Sequence, residues 1–411
     1  MKKLKELMLL NMVLNLFDEV INKTTDTTAT TGNDLSAEMR TFYHRQLLEV
    51  AGPELYHEQF GQMVDIPQNN GKVVQFRKPT PFKKALTKLT EGVTPDGQRM
   101  SITTITSEIA QYGDYATVTD ILKLTAADNM LVVATDLLGQ QAGQTRDTIV
   151  REVINGGTNV QFGECAVTNR HSLTSTHKLT VKAIKQAVRT LKAKNAPRIN
   201  GKYVAIINQD VSFDLTEDPD WKYPKQYGDT SDLYTGELGE VAGVRFVETS
   251  EAKIFKGDNL CAASRNLTLS STAVTAGKTL IVTDTITTAL VGRYLLCGTT
   301  KAKVTAVNVD TKTITVDTNV TLAAGATIYP GEGGSAGRAV YSTLVLGQNA
   351  YGVTKVQGGG LEFIFKPLGS GNDPLNQRAT AGWKTTLTAE LLQEDYMVRI
   401  ETCSTYDADA N

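Results

Sequence analysis

The segment Gly71–Asn155 carries the pattern that decides the fold, and over residues 71–115 it reads GKVVQFRKPTPFKKALTKLTEGVTPDGQRMSITTITSEIAQYGDY. Residues 72–76 (KVVQF) combine apolar and polar side chains as in a strand, and the Thr- and Ile-rich residues 101–109 predict a second, returning strand. Between them lies a long polar segment rich in Lys and Thr. Loops of this length are uncommon inside compact domains and commonly have a function of their own. The pattern therefore predicts an extended loop that reaches a neighbouring molecule.

The end of this segment predicts one long helix over about residues 129–155. Asp128 is the expected N-cap, and Gly156-Gly157 is the expected stop. At 1.5 Å per residue the helix would be ~40 Å long, which suits a spine lying across a sheet, although an ordinary long helix gives the same pattern. The apolar stripe comprises Met130, Ala134, Leu137, Leu138, Ala142, Ile149, Val150 and Val153. The opposite side is expected to be kept polar by Gln140, Gln141, Gln144, Arg146 and Asp147.

Several separated motifs resemble the major capsid proteins of tailed double-stranded-DNA phages, and among these the N4-like coat proteins. The motifs are Leu89–Gln98 (LTEGVTPDGQ), Gln111–Tyr115 (QYGDY), the helix beginning near Asp128, Pro374–Lys384 (PLNQRATAGWK) and Asp395–Glu401 (DYMVRIE). The resemblance covers roughly residues 35–256 and 337–411. Motifs that recur in the same order are more specific than one short pattern.

The resemblance implies an α+β subunit with the Hong Kong 97-type capsid fold. This fold has an N-terminal arm, an extended loop, a peripheral domain with a long spine helix, and an axial domain. The implied division begins with an arm over 1–71, the extended loop over 72–111 and the peripheral domain over 112–164. The axial domain follows over 165–256 and 337–375, and a small all-β domain is inserted between these two parts over 257–336. C-terminal strands of the peripheral domain occupy 376–411.

The function implied by the resemblance is structural and not enzymatic. The subunit would self-assemble into pentamers and hexamers of an icosahedral phage head in the host bacterial cytoplasm and become part of the virion. Its implied partners are other copies of itself, scaffold, portal and decoration proteins, and packaged double-stranded DNA that is enclosed without sequence-specific binding. No cofactor, metal or membrane is expected.

Residues 257–336 differ in composition from the chain on either side. Helical periodicity disappears, Thr, Val, Gly and Ala dominate, and residues 304–316 predict a hairpin that turns at Asp310-Thr311-Lys312. The glycine-rich residues 331–337 are interpreted as a flexible return. The pattern predicts a small β domain inserted in the axial domain. It leaves open a second function, a binding or decoration module in which this β domain displays a ligand-binding surface on a scaffold.

The axial segment predicts a helix that begins at Thr180 and a buried central strand over Tyr203–Ile207. A further strand is expected over residues 243–248. The helix would turn Val181, Ile184, Val188 and Leu191 inward. Its basic side, which either faces packaged DNA or is a solvated surface, comprises Lys182, Lys185, Arg189, Lys192 and Lys194.

The N-terminal residues predict an arm of helix, linker and helix. Leu7, Leu10, Leu14, Phe17 and Ile21 repeat at alternating spacings of three and four, as in a coiled-coil seam or a docking helix. The repeat is too short to be stable alone, so Leu10, Leu14 and Phe17 are expected to dock on a subunit surface. A Thr-rich linker over 23–34 leads to a helix from Ser36 to Leu48.

Composition excludes several classes of protein. The chain has 411 residues, 41% of them hydrophobic and 21% charged, and a net charge of −2. A free-standing nucleic-acid binder would usually be basic. Four cysteines without close pairing in a chain of this length indicate reduced thiols. No apolar run approaches the ~20 residues that span a bilayer.

The chemistry-bearing residues favour an assembly surface over an active site. None of the four histidines (His44, His57, His171 and His177) has zinc-site spacing, and no nucleophile elbow or phosphate-binding loop is present. Glu91 and Asp96 could form a glycosidase-like pair, but their polar loop has no apolar wall to raise either pKa.

The extended loop carries both signs of charge, which suits docking on a complementary neighbour. The charged residues predicted to contact another subunit are Lys78, Lys83, Lys84, Lys88, Glu91 and Asp96. Each exposed ion pair contributes only ~0–1 kcal/mol, so the energy of assembly must come from many repeated contacts.

Overall fold

A computed structural model describes the chain over residues 97–411, except for 126–129, 166, 222–238, 263, 357–359 and 368–374. It also describes 55–66, 72–79 and the isolated residues 46–47, 50–51, 82, 84–86, 88, 91 and 94. The arm residues Leu10, Leu14 and Phe17 lie outside the described residues, as do most of the helix expected over 36–48, the loop residues Lys83 and Asp96, and the expected cap Asp128.

The described elements confirm an α+β chain. Its helices are α1 (Asp120–Thr125), α2 (Met130–Asn155), α3 (Val181–Ala193) and α4 (Gln209–Glu217). Its strands up to residue 255 are β1 (Gln62–Ile66), β2 (Val73–Pro79), β3 (Ile102–Glu108), β4 (Ala110–Thr119), β5 (Val160–Phe162), β6 (Tyr203–Ile207), β7 (Glu240–Val241), β8 (Val244–Glu248) and β9 (Ile254–Phe255). The later strands are β10 (Leu267–Thr268), β11 (Val274–Ile281), β12 (Tyr294–Cys297), β13 (Thr300–Asn308), β14 (Thr313–Leu322), β15 (Thr327–Pro330), β16 (Val340–Leu346), β17 (Tyr351–Val356), β18 (Glu362–Lys366), β19 (Arg378–Leu391) and β20 (Met397–Thr402).

The first sheet has the order β1-β17-β19-β18, with β4 paired along β19. Helix α2 lies across it, close to the length that the sequence predicts. Trp383 of β19 is buried beside Leu138 and Ala142 of the helix, and its indole N–H donates to Gln141 Oε1 over 3.1 Å. On another side, Gly139 of the helix leaves room for the backbone of Leu47, because a Cβ at that position would lie 3.0 Å from the Leu47 carbonyl oxygen. The helix is therefore covered by the sheet and by the segment that precedes it.

Two details of the predicted α2 surface are wrong. Leu137, placed on the apolar stripe, is 62% exposed, and Arg146 and Asp147, placed on the polar side, are buried. The reason is that α2 is buried on more than one side. Leu138, Ala142, Arg146, Val150 and Ile154 are all buried, and because each step of four advances about 40° around the helix, they cover almost half of its circumference. The buried surface of the helix therefore includes two charged residues, Arg146 and Asp147.

The buried charges of α2 are paired with residues 57 and 58. Asp147 accepts hydrogen bonds from the backbone N–H of His57 through Oδ1 and contacts its Nδ1 through Oδ2, both over 2.6 Å. Arg146 donates to Glu58 over 2.6 Å. The hydroxyl of Tyr351 in β17 donates to the His57 carbonyl, and burial together with the Asp147 charge raises the pKa of this tyrosine. These contacts fix residues 57–58 between the helix and the first sheet.

The second sheet has the order β5-β20-β16-β6-β8-β7, and β9 also pairs with β16. The prediction of β6 as a buried central strand is confirmed, because all five of its residues are buried and it lies between β16 and β8. Helix α3 begins after Thr180, whose side chain accepts a hydrogen bond from the Ala183 N–H, as predicted. The four residues expected to face inward, Val181, Ile184, Val188 and Leu191, are buried in its core.

The strand pairings differ from the predicted division of the C-terminal residues. Strands β17 and β18, expected to continue the axial domain, pair with β19 in the first sheet, whereas β20, expected in the peripheral domain, pairs with β16 and β5 in the second. The chain therefore crosses between the two sheets twice after residue 346. Hydrogen-bonded neighbours are set by three-dimensional register, which the order of apolar runs along the chain does not reveal.

The third sheet has the order β10-β15-β12-β13-β14-β11 and is antiparallel throughout. It has a core of its own, formed by residues between Leu260 and Ile328. The predicted hairpin is confirmed as β13 and β14, and Lys312 has the positive φ of 51° that the turn requires.

The interpretation of residues 331–337 as a flexible return is wrong. Gly331, Gly333, Gly334 and Gly337 are buried, and the Gly334 N–H donates to the Arg338 carbonyl over 2.8 Å. A Cβ at Gly334 would lie 2.9 Å from the Leu173 carbonyl oxygen, and one at Gly333 would lie 2.7 Å from that of Arg338. These glycines allow backbones to approach closely.

Replacing Asp147 by alanine should lower the free energy of unfolding of the soluble subunit by about 3 kcal/mol, because the His57 N–H and ring lose their buried acceptor. Asp136→Ala is a matched control on the same helix, since Asp136 accepts one partly buried hydrogen bond from Gln46. That change should cost less than about 1 kcal/mol. Urea denaturation measures both, and equal losses would contradict the assigned role of Asp147.

Candidate assembly surfaces

Strands β2 and β3 form a two-stranded antiparallel ribbon that leaves the first sheet. Their register runs from Val73 opposite Glu108 to Pro79 opposite Ile102. One face of the ribbon is apolar, since Val74 and Phe76 are buried and Ile105 packs beside them, while the other face is exposed. This ribbon is the beginning and the end of the predicted extended loop.

The base of the ribbon is fixed by one aromatic ring and one hydrogen bond. The Phe76 ring covers Gly352 of β17, where a Cβ would lie 2.5 Å from the ring's Cε1 atom. The hydroxyls of Ser107 and Thr388 are 2.8 Å apart. Glycine at position 352 is therefore required by the close approach of the ring, and beyond this contact the ribbon extends away from its own sheet.

Large apolar side chains are exposed where the ribbon opens into the loop. Leu86 is 85% exposed, Met100 65% and Phe82 61%. Burying such a side chain contributes roughly 1.5–3 kcal/mol, more than an exposed ion pair. These three apolar residues are not among the charged loop residues that the sequence pattern predicts as contacts. The sequence signal that could have identified them is the presence of single large apolar residues, without strand or helix periodicity, inside a polar segment.

The structure does not bring the predicted charged residues of the loop together. Lys84, Lys88 and Glu91 are exposed and Lys78 is half-buried. With the other residues that the structure describes, none of these four forms an ion pair. Lys83 and Asp96 lie outside the described residues, so the contact of this set with another subunit stays a prediction.

The C-terminal residues brace the point where the chain enters and leaves the third sheet. Asp407 lies 3.2 Å from the Lys256 ammonium and accepts the Ala339 N–H over 2.7 Å. Asp409 accepts from Arg265 over 2.6 Å. Asn411 accepts the Ile254 N–H over 3.0 Å. These contacts join residues about 70 to 160 positions apart, so no local pattern could have predicted them.

A second group of charges lies where the third sheet meets the second. Arg170 donates two hydrogen bonds of 2.6 Å to the fully buried carboxylate of Glu401. Arg399 Nε is 2.9 Å from the same carboxylate. The Arg170 guanidinium also lies 3.5 Å from the centre of the Phe255 ring. Burial lowers the pKa of Arg399. Such shared, bidentate pairing orients both arginines.

Within the described part of the chain no group of three or more His, Cys, Asp or Glu side chains is arranged to hold a metal ion. The four cysteines are unpaired, and burial raises the pKa of the Cys297 thiol to about 12 and that of Cys403 to about 11. His57 is paired with Asp147, and His177 Nδ1 accepts the Thr174 N–H over 3.0 Å. No described helix is both long and apolar enough to cross a bilayer.

Comparison with known proteins gives the same architecture. A family model described as phage capsid protein matches residues 94–365, more than half of the chain. A search of curated proteins finds no match. Among solved structures, the capsid of cyanophage Pam1 has 11% sequence identity and a TM-score of 0.56, with 95% of this chain and 100% of that chain covered.

Two further capsids show comparable similarity. That of cyanophage P-SCSP1u has 12% identity and a TM-score of 0.53, covering 85% of this chain and 89% of that chain. The capsid of Ralstonia phage GP4 has 13% identity and a TM-score of 0.52, covering 87% of this chain and 90% of that chain. The predicted capsid fold is confirmed by these similarities. The N4-like branch and the status of residues 257–336 as an insertion stay predictions.

Replacing Phe76 by alanine should loosen the ribbon, because the ring that covers Gly352 contributes about 3 kcal/mol of packing. Trypsin should then cleave the basic loop of the unassembled subunit faster, while the two large sheets stay folded. Gln75→Ala is the control, since Gln75 is the exposed neighbour on the opposite face of the ribbon. Equal cleavage rates in the two variants would show that Phe76 does not anchor the ribbon.

Proposed function

The chain belongs to the phage capsid protein family, and on that premise we propose that it is the major capsid subunit of a tailed phage, assembling into the pentamers and hexamers of an icosahedral head. It is a structural protein and not an enzyme. The observation that carries the proposal is the β2–β3 ribbon, which leaves its own sheet and exposes Phe82, Leu86 and Met100. An exposed apolar group of this kind is stabilised when a neighbouring subunit covers it.

The energy of such a contact comes mainly from the apolar side chains, and the charges set its register. Three buried side chains at roughly 1.5–3 kcal/mol each exceed what exposed lysine pairs contribute. Lys78, Lys83, Lys84, Lys88, Glu91 and Asp96 would then select the complementary surface on the neighbour. Because every subunit repeats the contact, a modest energy per copy suffices for a closed shell.

The arm is proposed to add a second contact between subunits. The spacing of Leu10, Leu14 and Phe17 gives one apolar stripe, and a helix of that length needs a partner surface to be stable. In the proposed head the arm would dock on its own subunit or on a neighbour. Scaffold, portal and decoration proteins are the further partners of this proposal, with assembly in the host cytoplasm before the subunit becomes part of the virion.

Packaged double-stranded DNA would be enclosed without sequence-specific binding. The net charge of −2 gives the whole chain no excess of positive charge. The basic side of α3 is partly neutralised, since Lys182 pairs with Glu164 at 2.7 Å and Lys194 with Asp395 at 3.1 Å. These pairs favour a solvated helix face over a DNA-binding one. The alternative of a binding module on a scaffold has no support from the family.

The third sheet is proposed to be an inserted domain on the outer surface of the shell. Its own core supports independent folding, and its two connections to the body adjoin each other, because a Cβ at Gly257 would collide with Pro330. Insertions with adjacent ends are tolerated at surface loops. An inward domain would compete with DNA for volume, whereas an outward one would not.

The loop is tested by a triple replacement, Phe82→Ser, Leu86→Ser and Met100→Ser. The subunit should stay soluble with unchanged unfolding, because all three side chains are exposed, but electron microscopy should show few or no shells. Replacing Lys83 to Asp96 by a short Gly/Ser linker should have the same effect. The comparison variant Lys84→Gln with Lys88→Gln removes two register-setting charges but no apolar area, so assembly should be weakened less than in the triple variant. Intact shells from the triple variant would contradict the proposal.

The placement of the third sheet is tested by deleting residues 259–329 and joining Asp258 to Pro330 through two or three glycines. Lys256 and residues 331–337 are retained because Lys256 pairs with Asp407 and Gly334 packs against Leu173, Val340 and Cys403 of the body. Shells of normal diameter with smoother outer density are expected in electron microscopy. Density lost from the inner surface would overturn the outward placement, and a subunit that does not fold would overturn its independence.

A further inference from the structure

A cavity of about 300 Å³ lies where the third sheet meets the second. Its walls come from distant parts of the chain: Arg170 and His171 from the turn after β5, Lys301 from β13, and Arg399 with Glu401 from β20. The proposed shell function makes no use of this site. Its position away from the β2–β3 ribbon separates it from the candidate assembly contact.

The cavity holds more positive than negative charge. Arg170, Arg399 and Lys301 contribute three cations, and the carboxylate in the wall, Glu401, is already shared by the two arginines. Glu332 is the other carboxylate that acts on Lys301. Lys301 forms no ion pair with any other residue that the structure describes, and its ammonium lies 4.4 Å from the centre of the Tyr294 ring.

Several donors in the cavity have no acceptor among the described residues. Arg170 uses Nε and Nη2 on Glu401, which leaves Nη1. Arg399 donates through Nη1 to the Asn155 carbonyl, and its Nε lies 2.9 Å from Glu401 without a hydrogen-bond partner among the described residues, which leaves Nη2 as a further donor. The Lys301 ammonium adds three further N–H donors. Lys301 is exposed, and neither Arg170 Nη1 nor Arg399 Nη2 is among the buried unsatisfied atoms, so an anion that enters the cavity can reach these donors and accept from them.

The pKa values of the cavity residues reflect the same excess of positive over negative charge. Burial and the charge of Arg170 lower the pKa of Lys301, and burial and the charge of Lys301 lower the pKa of His171. Each shift means that burial and a neighbouring cation outweigh what nearby carboxylates supply to the protonated form. A bound anion would supply that compensation.

We propose that this cavity binds a phosphate-type oxyanion. A tetrahedral oxyanion offers several acceptor oxygens, which matches two guanidinium edges and one ammonium converging from separate elements. The phosphate is either a free ion or a phosphodiester group of a nucleic acid, and both present the same oxygens to these donors. Oxyanion binding at this cavity requires only the folded subunit and does not depend on shell assembly.

The test is isothermal titration calorimetry of inorganic phosphate and of sulfate into the soluble full-length subunit, at ionic strength held constant with chloride. Saturable binding of one oxyanion per subunit is expected for the natural chain. Lys301→Gln should weaken it about tenfold, because one charge-assisted contact is lost. Lys301 is exposed on β13, so the variant should unfold at the same temperature as the natural chain.

The matched control is Lys303→Gln. Lys303 lies two positions along the same strand, with its ammonium 5.8 Å from the same Tyr294 ring, and it does not line the cavity. Its replacement makes the same change in net charge and should leave phosphate affinity unchanged. No saturable binding to the natural chain, or equal weakening by both replacements, would overturn the proposal.

Competition identifies the source of the phosphate. A short single-stranded oligothymidylate that displaces inorganic phosphate from the natural chain, and fails to bind Lys301→Gln, would support a nucleic-acid phosphodiester. Phosphate that stays bound at saturating oligonucleotide would support the free ion.

Discussion

Helix α2 is buried on more than one side, and the rest of the body is arranged around that burial. Its first half lies on β19 through Leu138, Ala142 and Trp383. Its second half contributes Val150 and Ile154 to a core that includes residues from both large sheets. A helix enclosed in this way cannot have a simple apolar and a simple polar face, and its buried charges must be paired.

The pairing of those charges joins parts of the chain that are distant in sequence. Residues 57–58 bind Asp147 and Arg146, so the segment just before the ribbon is held on the helix. At the other end Asn155 bonds Ser342 of β16 and accepts from Arg399 of β20, which docks the end of the helix on the second sheet. The helix thus fixes both sheets and the base of the ribbon in one frame, as a shell subunit requires if its contacts are to keep their geometry.

Two extensions leave this frame, and they are held in different ways. The ribbon is held on the first sheet by the Phe76 ring over Gly352 and by the hydrogen bond between Ser107 and Thr388, and apolar side chains beyond it are exposed. The third sheet has a core of its own and is braced at its connections by Asp407 and Asp409. In the proposed head the ribbon would gain further burial from a neighbouring subunit, whereas the third sheet already has a core of its own.

The sequence by itself determined the α+β class, helix α2 within one residue of its start, the central strand β6, the start of α3 within one residue of Thr180 and the β13–β14 hairpin. Each is specified by local periodicity, capping or turn chemistry. Tertiary structure alone decided that Arg146 and Asp147 are buried, that β17 and β18 join one sheet while β20 joins the other, and that residues 331–337 are packed. It also decided the C-terminal brace and the exposure of Leu86. The physical reason is that burial and strand pairing depend on which distant segments meet, and spacing along the chain does not contain that information.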